Sequence, residues 1–222
     1  MLDFAVVPGR TALINVDLQE CFVRDSPISA PDGPAVMERL NRLGEVCRRA
    51  GIAVVHTRFV LRPDGSNLGL LGETSPPARA GILNEDARSA QLDAKLLVQE
   101  QDIIIDKPRF GAFFGTDLEP ILRSRGIDTL IIGGIATNLC CETTAREAMQ
   151  REFRVFFLSD GTATADMGGL SAAELQRASL ATLGFLFAQV ITVEEMIERI
   201  EQAGAHRYRK PKPCENVGER FV

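Results

Sequence analysis

A carboxylate, an ammonium and a thiol stand at comparable places along this 222-residue chain. Asp17 closes the apolar run Leu13-Ile14-Asn15-Val16, Lys107 directly follows Ile103-Ile104-Ile105-Asp106, and Cys140 comes shortly after Thr129-Leu130-Ile131-Ile132-Gly133. Brought together, these three types make a nucleophilic-cysteine site: a thiol to attack a carbonyl, a carboxylate to take its proton, a cation to balance charge. Each also has an ordinary reading. Asp17 can cap a turn, Lys107 can end a strand in solvent, and Cys140 can be a small buried apolar group. Asp17, however, is flanked by Leu13, Ile14, Val16 and Leu18, so its carboxylate is expected to be partly buried and to need a partner. Lys107 is the cation placed to supply one.

The segment Gly133-Gly134-Ile135-Ala136-Thr137-Asn138-Leu139-Cys140-Cys141-Glu142-Thr143-Thr144-Ala145 reads as a strand end, a tight turn and a helix start. Cys140 is expected in the first helical turn, where unpaired N–H groups and the positive dipole end favour a thiolate. The same N–H groups can donate to an oxyanion.

The elements that must position these residues are legible. Apolar runs at 11–17, 52–57, 102–106, 129–133, 154–158 and 187–191 are continuous rather than alternating, as in parallel strands covered on both faces. Val36, Met37, Leu40, Leu43, Cys47 and Ala50 recur at helical spacing, and Gly51 closes that helix, so Cys47 is a core residue. Thr116 with Glu119, Ser171 with Glu174 and Thr192 with Glu195 match capping boxes, and Gly126, Gly184 and Gly204 mark expected helix ends. Six-fold strand–helix alternation predicts an α/β fold: a three-layer αβα sandwich around a doubly wound, six-stranded parallel sheet. Such sheets bind ligands at the carboxyl ends of their strands, where all three reactive residues fall. Residues 1–204 are expected to form one domain and 205–222 an extended tail. The irregular stretch 60–90, with Gly65, Gly69, Gly72, Pro76 and Pro77, is expected to be a lid or binding loop.

Ile-Asn-Val-Asp17-Leu-Gln, Asp-Lys107-Pro-Arg-Phe-Gly-Ala-Phe and Gly-Ile-Ala-Thr-Asn-Leu-Cys140 resemble the three signatures of the isochorismatase-like cysteine hydrolases. That family includes nicotinamidases, N-carbamoylsarcosine amidohydrolase, biuret hydrolase and ureidoacrylate amidohydrolase, and the resemblance extends from about residue 8 to 200. It implies an Asp17, Lys107 and Cys140 triad, a non-proline cis peptide between Ile135 and Ala136, and an oxyanion hole from the N–H groups of Ala136 and Cys140. Phe22 matches the aromatic wall found after the aspartate strand in many relatives. Gln19, Arg58, Arg109, Phe113 and Asn138 are further candidates for substrate contact; Arg58, Arg62 and Arg109 are cations that could hold a substrate carboxylate. The Asp and His ligands by which nicotinamidases hold a metal have no counterpart after His56, where an arginine stands in place of a histidine. No metal and no cofactor are expected. Cys141 stands where valine is common, and the run Ala136 to Arg146 is similar to the ureidoacrylate and N-carbamoyl branch.

Composition narrows the partners. Net charge is −5 and spread along the chain, which excludes nucleic acid as the main partner. No apolar run reaches about 18 residues, so no membrane span is expected. Residues 1–10 lack the basic start and long apolar stretch of a signal peptide, so the expected location is the cytoplasm. Five cysteines without a CxxC pair, and two histidines far from any cysteine pair, fit neither a disulfide framework nor a zinc site. The sequence is read as an amidohydrolase cleaving a C–N bond of a small linear amide or ureide through a thioester, acting as a homodimer or homotetramer. The alternatives are an isochorismatase-type vinyl-ether hydrolase, which does not need the cysteine, and a non-catalytic α/β binding module, for which both phosphate-cradling glycine motifs are missing.

Overall fold

The computed structural model describes residues 3–207. Six strands form one all-parallel sheet: β1 (Thr11–Val16), β2 (Ala53–Phe59), β3 (Ile103–Lys107), β4 (Thr129–Ile135), β5 (Arg154–Ala163) and β6 (Gln189–Ile191). Their order across the sheet is β3-β2-β1-β4-β5-β6, so the winding reverses between β1 and β4. Val16 pairs with Gly134 at that reversal, and Phe59 pairs with Lys107 at the end of β2. A crevice opens at the carboxyl ends of strands where winding reverses.

Helices cover both faces: α1 (Glu20–Val23), α2 (Gly33–Ala50), α3 (Leu71–Thr74), α4 (Pro76–Arg79), α5 (Leu118–Ser124), α6 (Glu142–Gln150), α7 (Ala172–Leu186) and α8 (Val193–Arg207). One apolar layer joins Ile14, Val55, Ile132 and Phe157 to Leu118, Leu122 and Leu183. The other joins Leu13, Ile131 and Phe156 to Leu40, Leu43 and Met196. Neighbouring residues of one strand enter opposite layers, which is why the strand sequences are apolar without alternation. Among the described residues no helix is long and apolar enough to cross a membrane.

Local signals set several element ends. Gly51 takes the left-handed conformation after α2 at φ 79°. The Ser171–Glu174 pair closes a reciprocal capping box on α7, and Thr192 and Glu195 exchange the same bonds at the start of α8. The Thr116–Glu119 pair does not. The Thr116 hydroxyl donates to Ala112 O at 2.6 Å, while Glu119 pairs with Arg123 and Arg151. Gly184 lies inside α7, packed near Val190, and Gly204 lies inside α8, so neither ends its helix. Helix α8 runs to Arg207, into the stretch 205–222 expected as an extended tail; its remainder, residues 208–222, lies outside the described residues. The 60–90 stretch is partly ordered by α3, α4 and a bridge between Leu61 and Asn84.

Candidate active site

Asp17 is the first residue past β1 and adopts φ 52°, a left-handed turn that swings the chain away from the sheet. Its backbone N–H donates to Thr57 Oγ1 at 3.1 Å, and that hydroxyl donates back to Asp17 Oδ1 at 2.6 Å. The neighbouring strand thus fixes the carboxylate. Oδ2 lies 2.7 Å from Lys107 Nζ and is otherwise without a hydrogen-bond partner, which leaves a lone pair for a further proton.

Lys107 reaches Asp17 from a distance. Strands lie about 4.8 Å apart, so β3 is about 10 Å from β1 across β2. The lysine crosses that gap beside Phe59, with Nζ 4.5 Å from the ring centre, and donates to Arg109 O at 3.0 Å. Both members of the ion pair are 0% exposed. Burial pulls the ammonium pKa down, but Asp17 and Cys140 more than offset it, and the net direction is up. The lysine is therefore a permanent cation.

Cys140 belongs to a single π-helical turn, Thr137–Cys141, that joins β4 to α6. The turn is tied down by Thr144, whose hydroxyl donates to Cys140 O at 2.7 Å and accepts from Ala112 N at 3.1 Å. The Ile135–Ala136 peptide bond at the end of β4 is cis. Gly134, at φ 130°, packs so close to β1 that a Cβ would lie 2.0 Å from Val16 O. Glycine is required there to bring the β4 end against the Asp17 turn. The Cys140 thiol interacts with both Asp17 and Lys107. Burial pushes its pKa up to about 12, with Lys107 opposing and Asp17 reinforcing that rise. The helix-end argument favoured a thiolate; in the fold, burial acts the other way and sets the net direction.

A cavity of about 420 Å³ opens onto this turn, with Ala136 and Cys140 in its wall. Apart from Thr74, Ser75 and Asp166 the rest of the wall is apolar, and Phe22, one of the aromatic candidates, is part of it. The other candidates for substrate contact are placed elsewhere. Gln19 is buried, donates to Phe59 O and Ala90 O at 3.1 and 2.7 Å, and accepts from Phe59 N at 2.7 Å, so it clamps the end of β2 to residue 90. Arg58 forms a two-pronged pair with Asp106 and donates to Gln91. Arg109 donates to the carbonyls of Asn67 and Pro108. Phe113 packs on Phe153, with Phe110 instead in the cavity wall. Asn138 accepts from Thr164 and donates to Met167 Sδ, placing Met167 in the wall without reaching it itself.

Sequence reasoning missed Thr57, Leu71, Leu83 and Met167. Thr57 alone carried a usable signal, as a hydroxyl on the strand beside Asp17. His56 is not positioned as an open ligand: it lies 3.4 Å from Asn15 Nδ2 and 3.2 Å from Asp102 Oδ2, a carboxylate also paired with Arg48.

A buried carboxylate–ammonium pair against a thiol at a cavity wall has the parts for acyl transfer: a nucleophile, an acceptor for its proton and a fixed positive charge. An isochorismatase domain model matches residues 11–195. The chain is 31% identical over 187 residues to nicotinamidase 3 of Arabidopsis thaliana, covering 83% of this chain and 86% of that one. It is 30% identical over 230 residues to the ureidoacrylate amidohydrolase RutB of Klebsiella pneumoniae, covering 95% and 94%. A crystal structure of a cysteine hydrolase from Pseudomonas syringae pv. phaseolicola superposes with a TM-score of 0.83 at 35% identity, covering 90% of this chain and 97% of that one.

Proposed function

This chain belongs to the isochorismatase family of hydrolases, and from that premise we propose that it is a cysteine-nucleophile amidohydrolase acting on a small linear amide or ureide. The observation that carries the reading is the wholly buried Asp17–Lys107 pair in contact with a thiol that lines a cavity. Ion pairs of this kind are costly to bury and add little stability, so their retention fits a chemical role.

In the proposed sequence, the substrate carbonyl sits against Ala136 and Cys140. The thiol gives its proton to Asp17 Oδ2 as Sγ attacks the carbonyl carbon, so no free thiolate forms at rest. The Ala136 and Cys140 N–H groups donate to the resulting oxyanion. Asp17 passes the proton to the departing nitrogen, the C–N bond breaks, and ammonia or an amine leaves a thioester on Cys140. Water then gives a proton to Asp17 and attacks the thioester carbonyl. Collapse expels the sulfur, which recovers its proton from Asp17, and the acid product departs. Lys107 keeps its charge throughout and holds Asp17 between the two positions it serves. General acid–base help of this kind is worth about 10²–10⁴-fold and each oxyanion donor about 10²–10³-fold.

The test uses both adjacent cysteines. Cys140 lines the cavity, whereas Cys141 is fully buried in the layer with Ala145 and Phe157. Ammonia release from a panel of amides and ureides should vanish in Cys140→Ala. It should persist in Cys141→Ala, which loses a small buried group at a cost of about 1 kcal/mol. Hydroxylamine should intercept an acyl group on Cys140 of the native protein. An active Cys140→Ala protein would overturn the reading and favour a hydrolysis that needs no thiol.

A further inference from the structure

We propose that the cavity receives an uncharged, apolar acyl group and rejects one that carries a carboxylate. The inference rests on the amidohydrolase reading for the bond that is cleaved, but not for the cavity's preference, which stands on the wall itself.

Phe22, Ile28, Phe59, Leu71, Leu83 and Phe110 line the cavity together with the thiol turn. Each of the two hydroxyls in the wall makes one hydrogen bond within its own loop. Thr74 Oγ1 donates to Leu70 O at 3.2 Å, and Ser75 Oγ accepts from Ala78 N at 3.3 Å as the cap of α4. Among the described residues, no arginine, lysine or histidine side chain lines the cavity. Arg24, Arg58, Lys107 and Arg109 have other partners: Arg58 pairs with Asp106, Arg109 with backbone carbonyls, Arg24 with Asp93, and Lys107 with Asp17 and Arg109 O, while Arg62 is not among the lining residues. The one charged side chain in the wall is Asp166, exposed at the mouth, where its Oδ1 accepts from Ala172 N at 2.7 Å.

A carboxylate entering this space gives up hydration, meets no cation among the lining residues and passes an acid of like charge. A hydrocarbon or aromatic acyl chain gains burial against the same wall. At about 420 Å³ the cavity lies at the small end of small-molecule sites, suited to a short branched or single-ring chain. The asymmetry also favours turnover, because hydrolysis converts a neutral amide into a carboxylate that the cavity does not hold.

Two measurements separate this inference from the reading it rests on. The first compares alkylation of Cys140 by neutral iodoacetamide and anionic iodoacetate, each rate divided by that of free cysteine. The second compares kcat/KM for isovaleramide and benzamide with that for succinamate and 3-ureidopropionate. Iodoacetamide is expected to be favoured by about tenfold or more, and the neutral amides by about 100-fold, the scale of leaving a buried charge unpaired. Thr74→Lys, which places a cation on the exposed rim, should shrink both ratios by about tenfold. A normalised alkylation ratio near or below one, or a preference for succinamate, would overturn the proposal. A clear preference for iodoacetamide with no amide hydrolysed would leave the cavity's selectivity standing and remove the amidohydrolase reading instead.

Discussion

Lys107 has no counterpart that a shorter or differently placed cation could replace, because it must span β2 and still end 2.7 Å from Asp17 Oδ2. Two effects of removing it are separable. In the proposed mechanism the charge that holds Asp17 between thiol and leaving group is lost, so Lys107→Met should lower kcat by at least about 100-fold with little change in KM. A raised KM at unchanged kcat would make the lysine a substrate-binding group instead. Stability loses the partner of a buried carboxylate, which costs about 3–5 kcal/mol. The double variant Asp17→Asn with Lys107→Met should recover much of that loss in a urea titration while remaining inactive. If the double variant is as unstable as the sum of the two single ones, the pair is not coupled in the manner proposed.

The three strand ends were legible for a simple reason: β1, β3 and β4 are short, largely apolar runs with a reactive residue at or shortly past their ends, and parallel topology sends those ends to one edge. Beyond Phe22 the individual wall residues were not legible, because Leu71, Leu83, Phe110 and Met167 come from connections whose paths depend on distant partners. Gln19 illustrates the limit. Its amide bonds to Phe59 and Ala90, neither of them a neighbour in sequence, so it resembled a substrate contact until the backbone course was known. Gln19→Ala is expected to leave Phe59 N, Phe59 O and Ala90 O buried without their partner and to cost about 2–4 kcal/mol. Since Phe59 is also cavity wall, KM should rise more than kcat falls. An unchanged KM with an intact fold would show that the clamp and the wall move independently. The capping boxes teach the same lesson at smaller range. Ser171 and Thr192 succeed where only local bonds compete, while Glu119 is drawn away by Arg123 and Arg151.

Taken as one cooperative unit, the molecule stores thiols in both apolar layers and at the site between them. Burial pushes Cys21, Cys47 and Cys140 up to about 12, each from an ordinary value near 9. The sign of the consequence follows from which state gives up its proton first. Between pH 9 and 12 the unfolded chain has lost these protons and the folded chain has kept them, so folding stability falls as pH rises through that window. The slope is about 1.4 kcal/mol per pH unit for each thiol so affected. Lys107 does not oppose this early in the window: its pKa is raised on folding, so its contribution is full below the ordinary lysine value and declines only at higher pH. At the acidic side His56, lowered chiefly by burial against the counteracting pull of Asp102, is neutral in the fold and removes stability as pH falls below about 6.5. Urea midpoints should therefore be flat near pH 7–8.5 and fall steeply above pH 9. Cys47→Ala, in the α2 layer far from the Cys140 turn, should lose some stability at pH 7 yet flatten the alkaline decline by about a quarter, since burial raises Cys141 as well. The same ionisation should be visible at the site: Cys140 alkylation should keep accelerating with pH beyond 9, without the plateau near neutrality that a preformed thiolate would give. A plateau below pH 8 would show that Cys140 rests as thiolate rather than thiol, and an alkaline decline unaltered by Cys47→Ala would show that Cys47 ionises in the folded protein.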